Sequence, residues 1–199
     1  MKLELYFPVK PVTVFQRFGN PNPTLYAGLG IIGHNGIDFW APDSWPVYAA
    51  HEGEVVYAGV DAKEGWGIVV RTLQPFEYLT GEAYFKTIYW HLRKDGIKVK
   101  VGQKVKAGNL LGLADSTGLS FGNHLHFGLK PQYNGENDWT WWNAEQDNGY
   151  KGAINPSPYW NGICARDAST WIQVKALVTN IALKAKILAE LIKVAVGFK

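Results

Sequence analysis

Between residues 11 and 130 the chain is cut into short apolar runs, each β-branched or aromatic-rich and each bounded by glycine, proline or polar residues. The runs are PVTVFQRF, GIDFW, PVYAAHEGEVVYAG, GWGIVVRTL, KTIYWHL, KVKVGQKVKAGNLLGLA and NHLHFGLK. Such segments predict strands. Their close succession, without intervening helical period, predicts a mainly β, antiparallel sheet domain rather than strand–helix alternation. In NHLHFGLK the period of two places His124 and His126 on one face and Leu125 and Phe127 on the other. One face of that strand carries paired imidazoles, and the opposite face carries core.

The pattern then changes twice. Residues 131–162 read as a loop rich in Asn-Gly, proline and polar residues, with Trp139, Trp141, Trp142 and Trp160 among them. Those tryptophans fit either a sugar or peptide groove or a cap on the sheet edge. From Ala168 onward there is no proline and, until Gly197, no glycine, and helix formers dominate. This predicts a C-terminal α-helical segment with Ser169 or Thr170 as its cap. Trp171, Val174, Val178, Ile181, Leu188, Ile192 and Val196 share one face of it, and Lys175, Lys186, Glu190 and Lys193 fall on another. The chain thus divides into a domain at 1–162 and an amphipathic tail at 163–199. The tail packs on the β-domain or on a second copy of itself. Its four internal lysines against one glutamate also suit residues 168–199 to contact a membrane or an anionic envelope polymer.

With 199 residues, of which 47% are hydrophobic, the chain has ample material for one packed core. A net charge of +3 without an arginine cluster excludes a nucleic-acid partner as the leading reading. The single Cys164 excludes an internal disulfide framework. Residues 1–15 carry Lys2, Glu4 and Lys10 with two prolines, so no signal peptide is visible; export relies on another route or on a signal outside this chain. No stretch approaches the ~18 apolar residues of a membrane span.

The candidate chemistry lies in the histidines. His34 and Asp38 stand four apart in GHNGIDFW. Fully extended, they would be about 13 Å from one another at ~3.3 Å per residue. That is too far for one metal ion with bonds of ~2 Å, so the chain must bend, and Gly36 is the residue that makes a bend cheap. The site makes sense if His34 ends a loop and Asp38 opens the next strand. Together with His91, His124 and His126 they form a nitrogen–oxygen set suited to zinc. Five candidates are too many for one tetrahedral ion, so some must do other work. Imidazoles beside a metal site serve amide hydrolysis as a base and as an oxyanion partner.

The order His34-x-x-x-Asp38, then His91 after an aromatic pair, then His124-x-His126 within GNHLHF resembles the lysostaphin-like zinc endopeptidases, which cleave peptides of bacterial peptidoglycan. The text around these residues, across roughly residues 12–130, is similar as well. The resemblance implies one zinc ion held by His34, Asp38 and His126. It implies His124 as general base and His91 as the group that stabilises or orients the tetrahedral intermediate. Peptidoglycan stem or cross-bridge peptides are the implied partners, bound in a groove of the β-domain. Asp43-Ser44-Trp45 departs from the glycine-containing turn of the family, and Trp45 is placed to shape the groove. Tyr26 is either an oxyanion donor or a surface tyrosine, and His51 matches no ligand position. An intact set of five positions argues against an inactive wall-binding or regulatory relative. A biotinyl- or lipoyl-type module, suggested by KVKVGQKVKAGNLLGLAD, leaves the histidines unexplained. The lack of a visible signal and the amphipathic tail suggest a phage-type lysin.

Overall fold

The computed structural model describes residues 1–133 and 148–197. Trp139, Trp141 and Trp142 lie outside the described residues. In chain order the elements are β1 (Leu5–Phe7), β2 (Val14–Gln16), α1 (Pro23–Leu29), β3 (Ile37–Trp40), β4 (Pro46–Tyr48), β5 (Gly53–Asp61), β6 (Gly65–Thr72), β7 (Phe76–Tyr78), β8 (Gly81–Leu92), β9 (Lys104–Val105), β10 (Leu110–Leu113), β11 (His124–Gln132), β12 (Trp160–Cys164) and α2 (Ala168–Gly197). The main sheet runs β2-β3-β11-β8-β6-β5-β9, with β7 paired to β8, and its neighbours are antiparallel. Two small pairs complete the described sheets, β4 with β10 antiparallel and β1 with β12 parallel. The fold is mainly antiparallel β with a C-terminal helix.

Every predicted strand run contains a strand, and the period of two holds in β11. Leu125, Phe127 and Leu129 are fully buried, packed with Phe39, Phe85 and Tyr89. His124 and His126 lie on the opposite face, each 8% exposed. The core is closed by Phe7, Phe39, Phe127 and Trp160, whose rings meet at 4.7 to 6.3 Å between centroids. Trp160, read from the sequence as part of a loop, is in β12. Its partner strand β1 lies more than 150 positions upstream, so local sequence carries no sign of the pairing.

Helix α1 is a second element the pattern does not announce. Seven residues are too few for a period. Its punctuation is nevertheless regular: the Asn22 side chain accepts from the Leu25 N–H at 3.2 Å, Pro23 occupies the first turn, and Gly30 ends it at φ +71°. The long helix α2 forms as expected but does not lay its apolar face on the β-domain. Every described side chain from Ser169 to Glu190 is exposed. Ala168 anchors its first turn in the body of the protein, and Lys175 reaches Glu4 at 3.9 Å.

Candidate metal centre

Strands β3 and β11 pair with Asp38 directly opposite His126. Opposed residues share a face of the sheet, and a one-residue slip would separate them. His34 comes from the loop before β3, and that loop is pinned from both sides. The Gly19 N–H donates to the His34 carbonyl at 2.8 Å, and the His34 N–H donates to the Asn20 carbonyl at 3.0 Å. The chain therefore bends between His34 and Asp38, with Asp38 near the start of β3.

Gly36 has a different role from the one its position suggests. Its backbone is not in the left-handed region where glycine is favoured. Instead, a Cβ there would stand 2.6 Å from His126 Cε1 and 2.6 Å from the Phe127 carbonyl oxygen. Glycine is present because β11 and the imidazole of His126 leave no room for a side chain.

The bend brings three atoms together. His34 Nε2 lies 3.1 Å from Asp38 Oδ1, His126 Nδ1 lies 3.0 Å from the same oxygen, and the two nitrogens are 3.0 Å apart. Atoms bound tetrahedrally to zinc at about 2.0–2.1 Å stand about 3.3 Å from one another. The triangle is thus a few tenths of an ångström tighter than a zinc site, and its two imidazole nitrogens and one carboxylate are zinc donors. His34 Nδ1–H donates to the Arg17 carbonyl at 3.1 Å, so in the neutral tautomer Nε2 carries its lone pair into the triangle. Such a backbone anchor on the far nitrogen is typical of metal-binding imidazoles. Burial pushes the Asp38 carboxyl up, but contacts with His126 and then His34 overcome it and hold it well below the usual carboxylate range. His126, lowered by burial, is raised overall by Asp38. The residues fit a divalent ion.

Two more imidazoles border the triangle. His124 Nε2 is 3.8 Å from Asp38 Oδ1, while Nδ1–H donates to the Gly122 carbonyl at 2.7 Å. His91 Nδ1–H donates to the Thr117 carbonyl at 2.7 Å. In both neutral rings Nε2 is left as an acceptor. The two rings lie 4.6 Å apart between centroids. Burial, then the charges of His126 and His124, push His91 down to about 3, and burial also lowers His124.

His91 reaches this face only through an irregularity. Trp90 is paired opposite His126 on the site face, so simple alternation would send His91 to the core face. At this point β6 and β8 shift register, with Trp90 and His91 opposing Gly67 alone, and His91 adopts φ +62°. The bulge re-aims the imidazole to within 6.0 Å of His126. Gly67 in turn gives Trp90 its space, since a Cβ there would stand 1.8 Å from the indole.

The sequence profile of peptidase family M23 matches residues 32–138. The chain belongs to this family. Among solved structures, the catalytic domain of the antimicrobial peptidase lysostaphin from Staphylococcus simulans is similar at TM-score 0.55 and 27% identity, covering 74% of this chain and 91% of that one. A zinc-containing peptidase from Vibrio cholerae is similar at TM-score 0.53 and 30% identity, covering 65% of this chain and 37% of that one. A mutant catalytic domain of the prophage-encoded M23 protein EnpA from Enterococcus faecalis is similar at 0.53 and 25%, covering 77% and 97%. An uncharacterized lipoprotein of Escherichia coli (strain K12), YgeR, is 38% identical over 71 residues, which is 36% of this chain and 27% of that protein's length.

The M23 site opens into a cleft of about 220 Å³, walled by Phe15, Leu25, Leu29, Leu119 and Phe121. Phe121, 89% exposed, is available for contact rather than core. Sequence reasoning did not single out these side chains, because lone apolar residues in loops carry no period. Tyr26 is not a surface tyrosine but lines the cleft. It is buried in α1, stacks over His34 at 6.1 Å and is hydrogen-bonded to Gln16. Trp45 does not line the cleft: its Nε1–H donates to the Lys10 carbonyl at 3.0 Å and its ring meets Trp40 edge-on. His51 is buried away from the site, with Nδ1–H on the Glu52 carbonyl at 2.8 Å and Nε2 on Thr87 Oγ1 at 2.9 Å.

Proposed function

We propose that this M23 domain is a zinc-dependent endopeptidase that hydrolyses amide bonds in the peptides of bacterial peptidoglycan. The observation that carries the reading is the buried triangle of His34 Nε2, Asp38 Oδ1 and His126 Nδ1 with two further imidazoles on its rim. The Vibrio cholerae neighbour is a zinc-containing peptidase, which supports the metal. Lysostaphin is an antimicrobial peptidase, which supports the reaction class.

Zinc bound by the three residues would supply Lewis-acid chemistry, polarising a carbonyl and lowering the pKa of water. The remaining work falls to this chain. His124, its Nδ1–H committed to Gly122, offers Nε2 to take a proton from the attacking water. His91 is likewise an acceptor while neutral, so it orients the attacking water, and the proton that His124 takes from that water is returned to the leaving amine as the C–N bond breaks. Because the rings are 4.6 Å apart, a charge on one disfavours a charge on the other, and the pair holds one proton at a time. The apolar walls exclude bulk water and hold the peptide across the histidines.

Mass spectrometry of purified peptidoglycan digested by the chain tests the reading. Chelator-sensitive peptide fragments, lost in His124→Ala, are expected. Intact peptidoglycan with zinc demonstrably bound would overturn the assignment.

A further inference from the structure

The metal centre makes no use of helix α2, and the sheet does not cover it. At about 100° per residue, Trp171, Val174, Leu177, Val178, Ile181 and Leu188 fall within one arc of about 140°. Among the described residues, only alanines share the arc with them. The six are 41–61% exposed, so the apolar face meets water along its described length. A contiguous exposed stripe of this kind marks a contact surface.

The arc is turned away from the β-domain. The first turn is fixed by buried Ala165 and Ala168 and by Lys10, which reaches Asp167 at 2.8 Å. Beyond it, Lys175 lies 3.9 Å from Glu4, and Ile172 borders a groove lined by Leu3, Glu4 and Phe76. Ile172 and Lys175 stand on the side of the helix opposite Leu177 and Ile181. The body therefore holds α2 by its root and by that side, and leaves the arc open.

The spacing of Trp171, Val174, Val178, Ile181, Ala185 and Leu188, alternately three and four, would also suit a second copy of the helix. Charge decides between the two partners. Lys175 and Lys186 border the arc on one edge and Lys184 on the other, while Glu190 lies outside both borders. Residues 168–199 hold five lysines against one glutamate, a net +4 in a chain whose total is +3, so residues 1–167 are net −1. Two such helices would bring like charge together, with no acidic border among the described residues to meet it. An anionic lipid surface instead takes the lysines at the level of its phosphates while the arc sinks to the acyl boundary. No described helix is long and apolar enough to cross a membrane, so this contact lies along the surface.

We propose that α2 is a membrane-docking helix. Its apolar arc rests in the interface of an anionic lipid bilayer, its bordering lysines pair with lipid phosphates, and it holds the β-domain at that surface.

Sedimentation of the zinc-loaded full chain with vesicles tests this. One set is phosphatidylcholine alone, and the other is an equimolar mixture with phosphatidylglycerol. Binding to the mixed vesicles is expected, weakened by salt and at least about tenfold weaker on neutral ones. Lys184→Gln with Lys186→Gln should weaken it about 25-fold, at about fivefold per lysine. Ile181→Gln with Leu188→Gln should weaken it at least about tenfold, whereas Leu183→Gln with Ile187→Gln, on the other side, should change it less than about threefold. All three pairs lie outside the metal centre, so zinc content and urea midpoints matching wild type confirm that each variant is folded. Absence of binding to mixed vesicles, or equal losses in the two apolar pairs, would overturn the inference. So would a lipid-free dimer that Ile181→Gln with Leu188→Gln converts to monomer, which would assign the arc to a second copy. Vesicle binding involves no hydrolysis, so its outcome is independent of the peptidase reading.

Discussion

Gly36→Ala separates two explanations of one glycine by the sign of its effect. If Gly36 only eased a bend, alanine would be accepted, because the backbone there is outside the left-handed region. A tolerated Gly→Ala change stabilises by about 0.4–1 kcal/mol through the unfolded chain. The structure predicts the opposite. The new methyl would lie 2.6 Å from His126 Cε1 and 2.6 Å from the Phe127 carbonyl oxygen, about 1 Å inside ordinary contact at 3.5–4.0 Å. The oxygen belongs to the backbone of β11, so no rotamer change relieves it. His126 is no freer, since its Nδ1 is held 3.0 Å from Asp38 and 3.0 Å from His34. Either the triangle opens or β11 shifts from β3, and overpacking of this kind costs about 1–3 kcal/mol. Displacing a ligand ring lowers metal affinity by roughly 10–100-fold. Competition against a chromophoric zinc chelator, with urea unfolding of the same samples, reads both quantities. A variant as stable as wild type or more so, with zinc affinity within twofold, would refute the steric account.

Other expectations follow from the same contacts. Gly67→Ala places a methyl 1.8 Å from the Trp90 indole next to the bulge that aims His91, so a loss of more than about 3 kcal/mol, or failure to fold, is expected in thermal unfolding. Zinc stoichiometry should fall to near zero in His126→Ala yet persist in His124→Ala, where hydrolysis drops by about 10²–10⁴-fold; equal zinc loss in both would contradict the assigned roles. Burial depresses His51 to about 4, so between its ordinary value of about 6.5 and 4 the unfolded chain binds more protons than the folded one. Stability should therefore fall as pH is lowered across that window, by about 3 kcal/mol for this group. His51→Gln should flatten the fall in urea midpoints between pH 7 and 4.5; an unchanged slope would show that His51 does not carry it.

The strand runs and the face shared by His124 and His126 were legible because a period of two is a local property, written in consecutive residues. That His34, Asp38, His91, His124 and His126 belong together as candidates was legible too, through their spacing and the text around them, and their side chains do meet on one face. That zinc donors from residues 34, 38 and 126 meet at 3.0–3.1 Å was decided by pairing across strands, a long-range choice that local pattern does not encode. The same holds for Trp160, which depends on β1 for its partner, and for α1, too short to show a period. His91 is the sharpest case. By alternation it belongs to the core, and only the register shift opposite Gly67 turns it toward the site. For α2 the sequence determined the helix, because propensity and capping act within a few residues. The tertiary structure decided that, beyond its anchored Ala168, its described side chains up to Glu190 stay exposed instead of being buried against the β-domain.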